Sequence, residues 1–248
     1  MALAFDTDEG FGTRATLGVI VLQTDESVEP EFRSFMPGDG IALYHSRVPM
    51  VPEITAETLA TMREEIPHAV ELLPSTDFTV IGYGCTSGST VIGEAGVREA
   101  VQSIRPGVQV SNPLSSTKAA LEALGVKRLG FVTPYIESVS RAMREALEAE
   151  GMEITAFGSF EEGDDRVVAR ITPASVEQAI YQTIEGHSVD AVFVSCTNLR
   201  VGSIISKVEE NLGIPLLSSN QTMAWHMLRL AGISEPLPQF GKLGATGL

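Results

Sequence analysis

The chain has little of what metal, nucleic-acid or membrane function needs. It has two cysteines and four histidines, and none of them falls at a Cys-x-x-Cys or His-x-x-x-His spacing. With His45, His68, His187 and His226 scattered along the chain, no metal site is expected. Lys and Arg number 17 against 32 Asp and Glu, for a net charge of −15. No basic stripe is present, so nucleic acid is not an expected partner, and the acidity reads as a solvated surface. There is no run of 18 apolar residues, so no membrane span is expected. The first residues carry Asp6, Asp8 and Glu9 with no apolar stretch, unlike an export signal. Reduced thiols in a cytoplasmic protein are the expectation. A complete phosphate-binding glycine motif is missing too. Gly82-x-Gly84 is followed by Ser87 where the third glycine belongs, and no cofactor is expected.

What is present is a regular alternation of short apolar runs with amphipathic segments. An apolar fraction of 44% over 248 residues supports a full core. Strands are predicted at Leu17–Leu22, Ile41–His45, Phe78–Tyr83, Val108–Ser111, Arg128–Val132, Ile154–Phe160, Ala191–Ser195 and Pro215–Ser218. Their apolar character on both faces suits buried parallel strands. Helices are predicted at Ala56–Leu73, Val91–Ile104, Ser115–Leu124, Ile136–Glu150, Pro173–Glu185, Val201–Leu212 and Gln221–Leu230. Thr172 followed by Pro173 reads as a cap and first helical residue, and Gly151 as a helix stop. The fold class is α/β: two similar Rossmann-like lobes, each a parallel sheet flanked by helices.

The two cysteines mark the repeat. Phe78-Thr79-Val80-Ile81-Gly82-Tyr83-Gly84 leads into Cys85-Thr86, and Ala191-Val192-Phe193-Val194-Ser195 leads into Cys196-Thr197. Each thiol is thus expected at the carboxyl end of a central strand, facing a cleft between lobes. The strand and helix from Pro215 to Leu230 are expected to cross back and close the first lobe. Lobe one is accordingly drawn as residues 1–113 plus 218–248, and lobe two as 114–217.

A thiol at the mouth of a helix feels its partial positive charge, which is expected to lower its pKa. Thr86 and Ser87, and Thr197 and Asn198, add hydroxyl, amide and backbone donors able to hold a carboxylate or a developing enolate. Two opposed thiols could move a proton from one face of a carbon to the other, or divide nucleophile and acid–base roles. The alternative is a small-molecule binding protein, for which reactive thiols are unnecessary.

Three segments carry a family resemblance: Gly84-Cys85-Thr86-Ser87-Gly88, Val132-Thr133-Pro134-Tyr135, and Ser195-Cys196-Thr197-Asn198-Leu199-Arg200. With Ser219-Asn220-Gln221-Thr222 and Trp225, the chain resembles the aspartate/glutamate racemase superfamily. Within it, the branch of maleate cis-trans isomerases and arylmalonate decarboxylases is the closer likeness. The resemblance implies a cofactor-independent isomerase or racemase acting on a small carboxylate, commonly as a homo-oligomer. It implies Cys85 as nucleophile, Cys196 as acid–base partner, and Thr86, Ser87 and Tyr135 as carboxylate donors. Decarboxylases of this branch lack the first cysteine, which this chain keeps. Two departures stand out. Where maleate isomerases carry asparagines, this chain is read as having Asp25 and Asp164, both substrate-facing. Ionised aspartate only accepts hydrogen bonds, so a dicarboxylate would meet like charges. A substrate with a donor group beside its carboxylate suits them better, which brings in the related ectoine-utilisation proteins. Racemisation, cis-trans isomerisation, hydrolysis and decarboxylation stay open.

Overall fold

The computed structural model describes residues 1–51 and 54–248. Among these residues eight parallel strands form two four-stranded sheets. In the first, β1 (Ala15–Leu22), β2 (Ile41–Val48), β3 (Val80–Gly84) and β4 (Gln109–Ser111) lie in the order β2-β1-β3-β4. In the second, β5 (Arg128–Thr133), β6 (Glu153–Ser159), β7 (Ala191–Val194) and β8 (Leu216–Ser218) repeat it as β6-β5-β7-β8. β1 is buried at every position, as a strand covered on both faces must be.

The last strand corrects one expectation. β8 pairs with β7 and so completes the second sheet instead of returning to the first. The helix that follows it, α10 (Ser219–Leu230), does lie against the first sheet. Gly82 permits this approach. A Cβ there would stand 2.3 Å from Met223 Cε and 2.7 Å from Met227 Sδ of α10. The glycine that resembled part of a phosphate motif is therefore a packing glycine.

Two helices differ from the hydrophobic reading. The segment expected as one helix from Val91 is two, α3 (Thr86–Ile92) and α4 (Glu94–Gln102), split at Gly93 with φ 79°. A helix α1 (Val28–Phe35) follows β1 and is absent from the sequence reading, because Pro30 and two acidic residues, Glu29 and Glu31, mask its apolar stripe of Val28, Phe32 and Phe35. The cap at Thr172 is as expected: its side chain accepts from Ser175 N at 3.1 Å, ahead of α8 (Pro173–Ile184).

In each sheet the strand order reverses direction between the first and third strands. Loops leaving those two strands diverge to opposite faces and open a crevice at their carboxyl ends. In lobe one the crevice loops carry Asp25 after β1 and Cys85 after β3. In lobe two they carry Tyr135 after β5 and Cys196 after β7. The seam between lobes closes over both crevices. Ile54 N donates to the Gly163 carbonyl at 3.2 Å, and the Ser27 hydroxyl donates to the Asn198 carbonyl at 2.9 Å.

Candidate active site

Each thiol accepts a backbone N–H, but only Cys85 opens a helix as expected; after Cys196 the next helix begins at Gly202. Cys85 is the N-cap of α3, and its Sγ accepts Gly88 N–H at 3.2 Å. Cys196 Sγ accepts Asn198 N–H at 3.3 Å. Both cysteines are free and buried, at 2% and 3% exposure. Cys196 holds φ at +131°, a conformation that L side chains adopt only under constraint.

Ser219, the first residue of α10, ties the two cysteine loops together. Its Oγ accepts from Thr86 Oγ1 at 2.8 Å and from Cys196 N at 3.0 Å. Thr197 Oγ1 reaches back to the Gly84 carbonyl at 3.4 Å. The strand-end turns that matched in sequence are thus joined in space.

The electrostatics overturn the expectation of lowered thiol pKa values. Burial pushes Cys85 up to about 11, against the opposing hydrogen bonds from Gly88 and Ser87. Cys196 is also raised well above the ordinary thiol value, by burial and then by the charge of Asp165. A short helix end is worth less than the loss of water around a thiolate. Tyrosines accompany both sulfurs. Tyr135 lies beside Cys196 and Tyr83 beside Cys85, each opposing the rise in its neighbour.

The remaining expected residues divide. Thr86, Ser87, Tyr135 and Thr197 are buried around the thiols, and Ser87 Oγ stands 3.7 Å from Cys85 Sγ. Asn198 is not a free donor. Its Oδ1 accepts Glu26 N–H at 2.9 Å and its Nδ2 donates to the Asp165 and Thr24 carbonyls at 3.0 and 3.4 Å. It clamps the loop after β1 to lobe two. Asp25, read as substrate-facing, is buried with its Oδ1 accepting Ser27 and Val28 N–H at the start of α1. Asp164 is not a thiol neighbour. It caps α7 (Asp165–Val168), bonds Arg166 through both carboxylate oxygens, and is held down to about 2 by that guanidinium. The acidic residue whose charge reaches both thiols is the next one, Asp165, at 4% exposure.

Tyr83, Asp165 and Ser219 were missed as site residues. Tyr83 read as a strand residue, although it stands two before Cys85 on the same strand face. Asp164 and Asp165 are adjacent identical residues, and only the helix start decides which one turns inward. Ser219 belongs to the Ser219-Asn220-Gln221-Thr222 segment of the family resemblance, which gave it no role.

A family model described as arylmalonate decarboxylase matches residues 17–244. The chain belongs to the arylmalonate decarboxylase family. Among its relatives, a maleate isomerase from Nocardia farcinica is 26% identical over 92% of this chain and 94% of that protein. An arylmalonate decarboxylase from Bordetella bronchiseptica is 26% identical over 92% of this chain and 95% of its own. A solved structure of the Nocardia farcinica maleate cis-trans isomerase superposes with a TM-score of 0.83 at 25% identity, covering 93% of this chain and 98% of that one. That structure is a Cys-to-Ser variant holding a covalently bound succinylcysteine intermediate. Within the family, this chain is a maleate-isomerase-like enzyme.

Proposed function

We propose that this protein is a cofactor-independent two-cysteine isomerase acting on a small unsaturated carboxylate in the cytoplasm, where its thiols stay reduced. The observation that carries the reading is the convergence of the Cys85 and Cys196 turns on a single hydroxyl, Ser219 Oγ. The covalent cysteine intermediate of the related isomerase supports the chemistry.

In this reading the Cys85 thiol adds across the substrate double bond. Sulfur bonds one carbon, and Cys196 delivers a proton to the other while taking up the proton that Cys85 gives away. The carbon–carbon bond is then single and turns. Reversal of the two transfers expels Cys85 and restores the alkene in the other geometry, with no net change in either cysteine. Both thiols are neutral before substrate enters, which suits Cys196 as proton donor and requires Cys85 to lose its proton as it attacks. Ser87 and Tyr135 supply hydroxyls for the carboxylate, Thr86 and Thr197 join them on turning away from Ser219 Oγ and the Gly84 carbonyl, and Asn198 holds the wall behind them. Substrate entry requires the seam at Ile54 and Gly163 to part, since both sulfurs are covered. A cavity of about 580 Å³ already borders this seam, lined by Ile54, Thr55, Ile136 and Asp164 among others.

The test is turnover by Cys85→Ala and Cys196→Ala, each checked for folding by circular dichroism. Both are expected to lose cis-trans conversion. Full activity in the two single variants overturns the reading. Retained decarboxylation of an arylmalonate by Cys85→Ala favours the other activity named in this family.

A further inference from the structure

Two buried carboxylates adjoin the thiols, and neither is paired with a cation. Asp25 is 2% exposed. Its Oδ1 accepts Ser27 N–H at 2.8 Å and Val28 N–H at 2.9 Å, so one oxygen starts α1. Its Oδ2 is fully buried with no hydrogen-bond partner. Asp165, at 4% exposure, accepts the Thr24 hydroxyl through Oδ2. Among the described residues no ion pair involves either aspartate. The nearby guanidinium groups are engaged elsewhere: Arg47 on Glu29, Arg170 on Glu26 and Arg166 on Asp164.

The two acids feel each other and the sulfurs. The charge of Asp165 bears on Asp25, Cys85 and Cys196, and that of Asp25 bears on Cys196. An unpaired buried carboxylate oxygen is costly unless something donates to it. Helix capping accounts for Asp25 Oδ1; the Thr197 hydroxyl lies near enough to help hold the charge, and Oδ2 keeps no partner at hydrogen-bond distance. A ligand with two carboxylates would place a further negative charge here, where water does not screen it. A ligand with one carboxylate toward Thr86 and Ser87 and an N–H group at its other end would meet that oxygen with a proton.

We propose that the site selects a small unsaturated carboxylate whose far end bears a nitrogen donor, an amide, ammonium or amidinium, received by Asp25 Oδ2 with Asp165 behind it. The proposal rests on the two-cysteine isomerase reading and names its substrate class. Asp25 is held up to about 6 by burial, so above that pH it is ionised and accepts only. Sites built around a donor reject analogues that lack it by large factors, because the acceptor is left unpaired.

The experiment compares maleate with maleamate, its monoamide, well above pH 6. The two differ by one donor group at one end, and each offers a double bond to the thiol. Cis-trans conversion is followed by NMR, and adducts on Cys85 by intact mass. For the wild-type protein kcat/KM is expected to favour maleamate by at least about tenfold. Asp25→Asn keeps an Oδ1 for α1 and removes the charge. It is expected to lower kcat/KM for maleamate and raise it for maleate, reversing or levelling the preference. Asp165→Asn moves the ratio the same way by less, and serves if Asp25→Asn does not fold. A wild-type preference for maleate, or a ratio unmoved in the variants, overturns the donor proposal while leaving the isomerase reading intact. No conversion and no adduct with either compound overturns the isomerase reading and this proposal with it.

Discussion

Thr197 Oγ1 donates to the Gly84 carbonyl at 3.4 Å. The residue just after the second cysteine thus touches the residue just before the first. Each lobe ends its third strand in a Cys-Thr turn, of different backbone shape in the two, and the turns meet at the seam. Two thiol-bearing turns from separate lobes are brought to one place by packing, and any loss of that packing separates them.

Ser219 is the shared acceptor at this junction, and Ser219→Ala leaves Thr86 Oγ1 and the buried Cys196 N–H without their partner. A buried donor left unpaired costs about 1–3 kcal/mol. The variant is expected to lose that much unfolding free energy, read as a lower urea midpoint at unchanged slope, with slower turnover. An unchanged midpoint would show that the junction does not depend on the serine.

Cys196 carries its side chain at φ +131°, a region open mainly to glycine. Cys196→Gly and Cys196→Ala both remove the thiol, but only glycine relieves the backbone. The glycine variant is expected to be the more stable of the two by about 1 kcal/mol. Thermal denaturation of the pair measures it, and a more stable alanine variant would contradict it.

Cys85 is held up to about 11 in the closed protein. Its thiolate is then roughly one part in ten thousand at neutral pH. Alkylation of Cys85 in the Cys196→Ala background is expected to be slow at neutral pH and to keep accelerating beyond pH 9. A plateau reached below pH 8 would mean that the thiol is already activated before substrate arrives.

Asp25 gives stability its own pH dependence. Its carboxyl titrates near 6 in the folded protein against 3.8 in a free chain. The folded state therefore holds this proton more tightly, and the resulting stability is complete below 3.8 and lost as pH rises through 6. Asp25→Asn removes that loss. It is expected to be more stable than wild type by on the order of 2–3 kcal/mol above pH 6, and no more stable in acid. Denaturant midpoints at both ends of this range test it. An equal gain at every pH would point to packing instead of charge.

Much of the fold is legible in the residues. The apolar run of β1 and the matching runs before Cys85 and Cys196 specify buried parallel strands, since few alternatives bury both faces of a short segment. The cap at Thr172 is local chemistry and was readable for the same reason. The break at Gly93 and the helix after Ser27 were less so, because a single positive φ or a masked stripe is decided by the surrounding packing. The choice between Asp164 and Asp165 could not be made from composition at all. One side chain caps α7 and meets Arg166, and the other turns toward the thiols, as the start of that short helix dictates.

The sequence by itself determined two similar α/β halves, a thiol at the end of a central strand in each, and hydroxyls beside both. These follow from periodicity and from residue types that local structure constrains. Only the tertiary structure decided the charge state of the thiols and the company they keep. Helix ends act over one turn and were readable. Burial depends on everything packed around the sulfur. At Cys85 it outweighs the helix end, and at Cys196, where no helix starts, it acts with the charge of Asp165, so both protons are held in place.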